Sequence, residues 1–346
     1  MIFKNSSFYN FVDYIKKTEK KIVCYGAGML PLYTEPLFQN YGLTSNVVLF
    51  IDGDTQKWGH QMRYAGRDIR VETPEYLAGM DAAKHVVLIT AEKYKEIEQM
   101  LVRLGLPENW ECHSYPCMNL TYFKSIKVRH VVSDVPARIP RVIHYTWFGG
   151  KEKQMLQRRC IESWHRFCPD FEIREWNEET YDVHKNQYVA EAYDCKKWAY
   201  VSDYARMDVL YQYGGIYLDT DVEIFQSLEP LLGTDAFLCF GEWPVPNSGA
   251  GTGCVKGNIL MRELMETREH VSFIQNDGKG DPRTNSNYEM KVLQNHGFRM
   301  DFTSQLTDGI ALYPPDVIAP ASVFGENAFV TERTLGIHHC LNTWRD

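Results

Sequence analysis

Two carboxylates one residue apart, Asp219 and Asp221, have the type and spacing that suit cation chemistry. They follow a short apolar stretch, residues 216–218, which predicts a strand ending in the acidic pair. Because side chains alternate along a strand, both carboxylates would point to one face and could reach one hard cation. Like charges side by side raise each other's pKa unless a cation or base neutralises them. The pair therefore predicts a site for Mn²⁺ or Mg²⁺, with positions left open for diphosphate oxygens.

The segment before this strand has helical spacing and carries a second pair of charges. Apolar side chains between residues 205 and 210 could line a buried face, and Gly214 with Gly215 would end the helix. Asp203 and Arg206 are three residues apart, so they lie on one side of that helix. We expect both to face one ligand, the alternative being an ion pair on the helix surface.

A glycine-containing turn near the start of the chain could also bind a nucleotide. The apolar stretch Lys21 to Tyr25 runs into Gly26 and Gly28, and Asp52 ends the next predicted strand. This arrangement is similar to a dinucleotide-binding half-fold, although Pro31 stands where the third glycine of that fingerprint belongs. Three interpretations stay open: a tight strand-to-helix turn, a nucleotide or nucleotide-sugar site at a helix N-terminus, and a redox site.

Strand-like and helix-like segments alternate along the first ~125 residues, which predicts an α/β domain. The predicted strands are residues 21–25, 47–51 and 86–90, and the predicted helices end near Tyr41 and cover residues 92–104. A linker rich in Val, Ser and Pro follows at residues 131–140, so the boundary is expected near residues 125–138. We therefore predict a Rossmann-like domain at residues 1–130 and a catalytic domain at residues 131–346.

Composition narrows the class of protein. The chain has 346 residues, a formal net charge of −8 and 44% hydrophobic residues, which is typical of a globular protein without a cationic surface for nucleic acid. Its nine cysteines contain no CxxC pair, which favours free thiols in the cytoplasm. No run approaches the roughly 18 apolar residues of a membrane span, so we expect a cytoplasmic protein, with peripheral binding at the inner face of the membrane left open.

Three segments resemble glycosyltransferase family 32, the group that contains yeast-type mannosyltransferases, bacterial capsule transferases and the related clostridial glucosylating toxins. The first combines Ser202, Asp203 and Arg206 with the run from Tyr213 to Asp221. The other two are residues 139–149 and 310–315. The resemblance as a whole extends over most of residues 139–346.

The resemblance implies a GT-A fold, which is a mixed and mostly parallel sheet flanked by helices. It also implies that Trp147, or alternatively Tyr145, stacks on the nucleobase, and that Asp203 and Arg206 hold sugar hydroxyls. Transfer of a sugar from a UDP- or GDP-sugar to a glycan or lipid-linked glycan is the implied reaction, with retention at the anomeric carbon. Capsule or surface polysaccharide synthesis in a bacterium is the expected setting.

The last residues, 337–344, resemble the closing element of the same family. The resemblance implies that Thr343 supplies an oxygen ligand to the metal, with Asn342 as a neighbouring candidate, and that Trp344 contacts the β-phosphate. His338 and His339 could instead be zinc ligands, but no partners stand at the spacing of a structural zinc site. The glycine-rich residues 247–253 are expected to form a flexible wall of the acceptor cleft.

The N-terminal segments at residues 50–59 and 73–77 resemble the small Rossmann-like domain of bacterial sugar O-acetyltransferases. Two other classes of function remain. A catalytically silent nucleotide-sugar sensor would bind donor without turnover, and a nucleotide-dependent oxidoreductase would use the site at Gly26 and Gly28. The donor sugar, the acceptor, the oligomeric state and the ligand of the N-terminal domain are not determined by the sequence.

Overall fold

The computed structural model describes residues 1–4, 6–126, 135–275 and 278–341. The chain divides into two compact units, residues 1–127 and 128–346. Within the described residues, no helix has both the length and the apolar character that crossing a membrane requires. Short 3₁₀ helices lie at Thr44–Asn46, Thr55–Lys57, Pro74–Gly79 and Glu229–Leu231.

The first unit is an α/β unit built on one sheet. Its described strands are β1 Ile2–Lys4, β2 Lys21–Tyr25, β3 Val47–Ile51, β4 Gln61–Tyr64, β5 Arg67–Glu72, β6 His85–Ile89 and β7 Glu111–Ser114. Its helices are α1 Phe8–Thr18, α2 Leu30–Asn40, α3 Tyr94–Arg103 and α4 Tyr115–Ser125. The strand order is β1-β7-β6-β2-β3-β5-β4, and all pairs are parallel except β4 with β5.

The central strands of this sheet are buried on both faces, which explains their continuous apolar sequences. Val23, Ile51 and Val87 pack with Trp110 in the core of the first unit. Pro31 lies in the first turn of α2, where its missing N–H has no helical acceptor to lose. The departure from the glycine fingerprint is therefore compatible with a strand-to-helix turn.

The second unit contains a mixed sheet flanked by helices. Its described strands are β8 Val142–Thr146, β9 Glu172–Trp176, β10 Gly215–Tyr217, β11 Val222–Ile224, β12 Ala236–Cys239, β13 Thr252–Cys254, β14 Gln305–Thr307, β15 Ile310–Tyr313, β16 Ile318–Pro320 and β17 Gly336–His338. Its helices are α5 Met155–Phe167, α6 Gln187–Asp194, α7 Trp198–Tyr213, α8 Ile259–Glu269 and α9 Asn285–Asn295. The larger sheet has the order β14-β15-β12-β13-β10-β8-β9 and combines parallel and antiparallel pairs. The mixed α/β class predicted from the sequence is confirmed.

A smaller sheet, in the order β11-β17-β16, places the end of the chain beside the acidic pair. In the antiparallel pair of β11 with β17, Val222 lies opposite His338. Strand β11 begins directly after Asp221, so the register brings His338 next to that carboxylate. Two parts of the chain more than 100 residues apart thus meet at one point.

The turn from α7 into β10 requires glycine at both positions. Gly214 and Gly215 have φ angles of +68° and +105°, which residues with a Cβ rarely adopt. A Cβ at position 215 would also lie 2.7 Å from the carbonyl oxygen of Val142. The two glycines let β10 pair closely with β8, and this pairing sets the position of the chain that carries Asp219 and Asp221.

Candidate functional site

Asp219 and Asp221 lie in the turn that connects β10 to β11. Strand β10 ends at Tyr217, and the Val222 N–H donates to the Asp219 carbonyl at 3.0 Å. The prediction that strand alternation aligns the two carboxylates is therefore wrong, because the pair lies beyond the strand. The turn nevertheless brings them together, and one ligand atom each from Asp219, Asp221 and His338 lie within 4.8 Å of one another.

His338 is the ligand candidate that sequence reasoning did not place in the metal site. Its Nε2 lies 3.2 Å from Asp221 Oδ1, and the Leu341 N–H donates to Asp221 Oδ2 at 2.9 Å. Burial alone would raise the pKa of Asp221, but the His338 charge and the Leu341 N–H lower that pKa to about 2. Burial disfavours the charged ring of His338, yet its neighbours Cys340 and Asp221 raise its pKa well above the ordinary value. Without a cation, the imidazolium neutralises Asp221.

This group of ligand atoms fits a divalent cation. Two carboxylate oxygens and one imidazole nitrogen are a donor set that suits Mn²⁺, whereas Mg²⁺ prefers oxygen throughout. The zinc alternative for the two histidines is not supported by the neighbours of His339, whose Nε2 pairs with Glu223 at 3.0 Å. The two histidines thus face different acidic partners.

Arg206 links the helix α7 to the acidic turn. Its Nη2 lies 3.0 Å from Asp203 Oδ1 and 3.2 Å from Asp219 Oδ1, and its side chain is only 5% exposed. The guanidinium also packs over the ring of Tyr217, 4.8 Å from the ring centre. Burial raises the pKa of Asp203, and Arg206 opposes that shift. Asp203 and Arg206 therefore form a buried pair at the site, which excludes the alternative of a surface ion pair.

The two aromatic candidates for nucleobase stacking have different surroundings. Tyr145 is buried in the core and donates its hydroxyl to Glu175 at 2.5 Å. Trp147 is half-buried, and its indole N–H donates to the Lys151 carbonyl at 2.6 Å. A cleft of about 520 Å³ opens beside Trp147 and is lined by Lys151, Lys153, Arg158, Glu175 and Asn177. Of the two aromatic candidates, Trp147 is the one that lines this cleft, where the Lys153 ammonium lies 5.2 Å from its ring centre.

The residues expected to close the site, Asn342, Thr343 and Trp344, lie outside the described residues. Their roles as metal and phosphate ligands stay predictions. The part of the chain that leads to them is described as far as Leu341, whose backbone N–H already contacts Asp221. The described part of the chain thus reaches the cluster of Asp219, Asp221 and His338.

The loop at residues 247–253 is not a flexible wall, so that prediction was wrong. Ser248, Gly249 and Ala250 are buried, and the Gly249 carbonyl accepts the Asp219 N–H at 2.9 Å. A side chain at position 249 would overlap the Asp219 carboxylate, which explains the need for glycine there. The loop supports the acidic turn from behind.

At the candidate nucleotide site of the first unit, the chain's own groups bind the carboxylate of Asp52. The Asp52 carboxylate accepts the Ala27 N–H at 2.8 Å and the Asp54 N–H at 2.9 Å, and it pairs with Lys57 at 2.9 Å. Burial would raise the pKa of Asp52, but these hydrogen bonds lower it overall. Gly26 turns the chain with a φ of +118°. A nucleotide at Gly26, Gly28 and Asp52 stays a prediction.

Comparison with known families identifies the segment that contains this site. Residues 155–238 match the family described as "Glycosyltransferase sugar-binding region containing DXD motif". The matched segment includes Asp203, Arg206, Asp219 and Asp221. The second unit therefore contains a segment that is similar to the DXD-containing sugar-binding region of glycosyltransferases.

The chain is also similar to curated yeast proteins that are named as a mannosyltransferase or a mannosyl phosphorylinositol ceramide synthase. The chain is 34% identical over 154 residues to inositol phosphoceramide mannosyltransferase 3 of Schizosaccharomyces pombe, a match that covers 41% of each protein. It is 31% identical over 116 residues to the mannosyl phosphorylinositol ceramide synthase CSH1 of Saccharomyces cerevisiae, covering 30% of this chain and 28% of that protein. The chain thus spans less than half the length of these relatives.

Comparison with solved structures finds two glycosyltransferases at low structural similarity. The structure described as "PaToxG Glycosyltransferase" is 16% identical, with a TM-score of 0.35, and covers 52% of this chain and 77% of its own. A glycosyltransferase involved in glycosylation of the major capsid of PBCV-1 is 13% identical, with a TM-score of 0.34, over 58% of this chain and 94% of its own.

Proposed function

We propose that the chain is a metal-dependent glycosyltransferase that moves a sugar from a nucleotide diphosphate to an acceptor hydroxyl. The observation that supports this proposal is the convergence of Asp219, Asp221 and His338 beside Arg206, with all but His338 inside the segment matched to the glycosyltransferase family. Two acidic side chains and one imidazole suit a cation that itself binds phosphate oxygens. Mn²⁺ is the first choice, and Mg²⁺ the second.

A bound cation would supply positive charge to stabilise the nucleotide diphosphate as it leaves. The chain's own residues then bind and orient the donor. Trp147 would stack on the base at the wall of its cleft, while Arg206 and Asp203 would hydrogen-bond the sugar hydroxyls. Because Arg206 is held by two carboxylates, its guanidinium is already oriented before the donor arrives, and this pre-organisation supports catalysis.

We propose that the reaction retains configuration at the anomeric carbon. The acceptor oxygen would form its bond to that carbon on the face from which the diphosphate departs, as the carbon–oxygen bond to phosphate breaks. The hydroxyl proton would pass to the departing diphosphate oxygen. Asp203 is an unsuitable nucleophile, because Arg206 already holds its carboxylate. A covalent glycosyl–protein adduct trapped with donor would contradict this part of the proposal.

The sugar and the acceptor can be proposed from the relatives. Because the curated relatives are named as mannosyltransferases or mannosyl-lipid synthases, mannose on GDP is the first donor to test, followed by UDP-sugars. A hydroxyl of a glycan or lipid-linked glycan is the proposed acceptor. Synthesis of a capsule or another surface polysaccharide is the proposed setting.

A release assay tests this function. Purified full-length chain is incubated with a panel of GDP- and UDP-sugars, with and without Mn²⁺, and free nucleotide diphosphate is measured. The proposal predicts release with one donor, dependent on Mn²⁺ and lost in Asp221→Asn. Donor binding without release would favour a nucleotide-sugar sensor, and binding of a nicotinamide dinucleotide alone would favour an oxidoreductase.

A further inference from the structure

Glu289 is a fully buried carboxylate behind the metal cluster. It lies in the first half of α9 and has 0% exposure. Burial raises its pKa, while the Ser248 side chain and Arg206 oppose that shift. A carboxylate withdrawn from water is costly unless it is hydrogen-bonded, so its contacts indicate what it does.

One chain of hydrogen bonds runs from Glu289 to the side chain of Asp219. Asn285 Nδ2 donates to Glu289 Oε1 and to Ser248 Oγ, and Ser248 Oγ also accepts Arg206 Nη1–H at 3.1 Å. Arg206 in turn lies 3.2 Å from Asp219 Oδ1. Because Asn285 bridges Glu289 and Ser248, Glu289 fixes the place at which the Ser248 hydroxyl oxygen accepts from Arg206.

A second route runs through the backbone of the same loop. The Ser248 N–H donates to Glu289 Oε2 at 3.3 Å, which fixes the loop on α9. The next residue, Gly249, accepts the Asp219 N–H through its carbonyl at 2.9 Å. Both routes therefore end on Asp219, one at its carboxylate and one at its backbone.

Asn285 completes the surroundings of Glu289. Its Nδ2 donates to Glu289 Oε1 and, at 2.5 Å, to Ser248 Oγ. Its Oδ1 accepts Arg268 Nη2–H at 2.6 Å, which determines the orientation of the amide. The Glu289 carboxylate thus receives donors from both sides.

We infer that Glu289 is a positioning residue for the metal site, which it controls through Ser248 without touching cation or donor. This inference rests on the proposed function, because it assumes that Asp219 binds the cation. A carboxylate offers acceptors on both oxygens, whereas the glutamine amide offers one oxygen and two donors. Glu289→Gln would place an N–H against Ser248 or against Asn285, and the loop and Arg206 would lose their fixed positions.

The test measures binding of Mn²⁺ alone, from the electron paramagnetic resonance signal of the free ion in titrations of full-length protein. Glu289→Gln should weaken Mn²⁺ affinity by about tenfold, the scale on which partners of metal ligands act. Asp316→Asn is the matched control, because Asp316 is also 0% exposed and pairs with Arg333, on no route to the site. It should bind Mn²⁺ like the wild type.

Ser248→Ala provides a second variant in case Glu289→Gln does not fold. It removes the hydroxyl between Glu289 and Arg206, so it should also weaken Mn²⁺ binding by about tenfold. If Glu289 acts through Ser248, the double variant should bind Mn²⁺ about as weakly as either single variant. Multiplied effects in the double variant would contradict this route.

The outcomes separate the inference from the function on which it depends. Wild-type Mn²⁺ affinity in both Glu289→Gln and Ser248→Ala would overturn the positioning role while leaving the proposed function intact. If the wild type neither binds Mn²⁺ nor releases nucleotide diphosphate, the proposed function fails, and the inference fails with it. Weakened binding in both variants, with Asp316→Asn unchanged, supports the inference.

Discussion

Asp52 of the first unit and Asp219 of the second both follow a strand and lie beside a glycine-containing turn, yet their carboxylates have different surroundings. Asp52 receives two backbone N–H groups and Lys57, all from its own unit. Asp219 shares its space with Asp221 and His338, and Arg206 is its cationic neighbour. The protein itself supplies hydrogen-bond and ion-pair partners to both oxygens of Asp52, and we call such a group saturated. Asp219 instead belongs to a cluster of ligand atoms that can bind a cation.

The difference teaches that an acidic residue after a strand is a weak sign of ligand binding by itself. Backbone N–H groups lower the pKa of Asp52 and make it part of a turn. Like charges gathered at one point instead need a compensating cation, and at Asp221 the His338 side chain supplies it. Saturated groups should thus contribute mainly to stability, and the clustered groups mainly to activity.

The largest expected effect is that of Asp221→Asn on turnover. Loss of this ligand should lower metal-dependent release of nucleotide diphosphate by about three orders of magnitude, because stabilisation of the leaving group is lost. Steady-state release assays with saturating Mn²⁺ measure the change. Turnover within tenfold of the wild type would contradict the view that the Asp219 and Asp221 cluster serves activity while Asp52 serves stability.

His338→Gln should produce the next largest effect. If His338 is a ligand, its loss should weaken Mn²⁺ binding by about 10- to 100-fold, as measured by calorimetric titration. His339→Gln is the matched control, since His339 pairs with Glu223 outside the cluster. Equal Mn²⁺ affinity in both variants would indicate that the third ligand is Thr343 or Asn342, as predicted from the sequence.

A saturated group in the second unit should affect stability through pH. The neutral ring of His144 accepts the Trp176 indole N–H at 3.0 Å and lies 2.8 Å from the Gly214 carbonyl, and burial lowers its pKa to about 4. Below pH 6.5 the unfolded chain takes up a proton that the folded ring resists, so stability falls as pH drops from 6.5 toward 4. Linkage gives about 2 kcal/mol between pH 7 and pH 5.

Urea unfolding of the wild type and of His144→Asn at pH 7 and pH 5 measures this contribution. The variant should be less stable at pH 7, and its stability should change less between the two pH values. If the variant keeps the wild-type difference in unfolding free energy between pH 7 and pH 5, protonation of His144 does not cause that difference. The view that saturated groups of the second unit contribute to stability would then lose this support.

The smallest effect is expected for Asp52→Asn. The amide retains one acceptor and loses the ion pair with Lys57, so we expect about 1 kcal/mol of lost stability by urea unfolding and unchanged turnover. A large fall in turnover would indicate that Asp52, Gly26 and Gly28 bind a nucleotide needed for the reaction. The Asp52 site and the cluster at Asp219 and Asp221 would then both bind a ligand that the reaction needs.

Local features could be predicted from the sequence, and contacts between distant residues could not. The strands at Lys21–Tyr25 and Val47–Ile51 have the predicted bounds, because buried apolar runs mark central strands. Helix α7 was predicted to end before Gly214, as it does. His338 was considered only as a zinc ligand and was not placed beside Asp221, because only the pairing of β11 with β17 brings it to that carboxylate.

Glu289 illustrates the same limit. A glutamate on a helix is ordinarily exposed, and its sequence context contains no sign of burial. Its connection with Ser248 depends on the packing of α9 behind the loop at residues 247–249. The flexible acceptor wall was wrongly predicted for a related reason, because glycines that allow close packing and glycines that allow motion look alike in sequence.

Anomalous diffraction at the manganese edge, from crystals soaked with Mn²⁺ and GDP, tests the cation centre most directly. We predict a peak coordinated by Asp219, Asp221 and His338, with the diphosphate beside it and Asp52 without metal. No peak at that cluster, or a peak beside Asp52 instead, would contradict the assignment of the metal site.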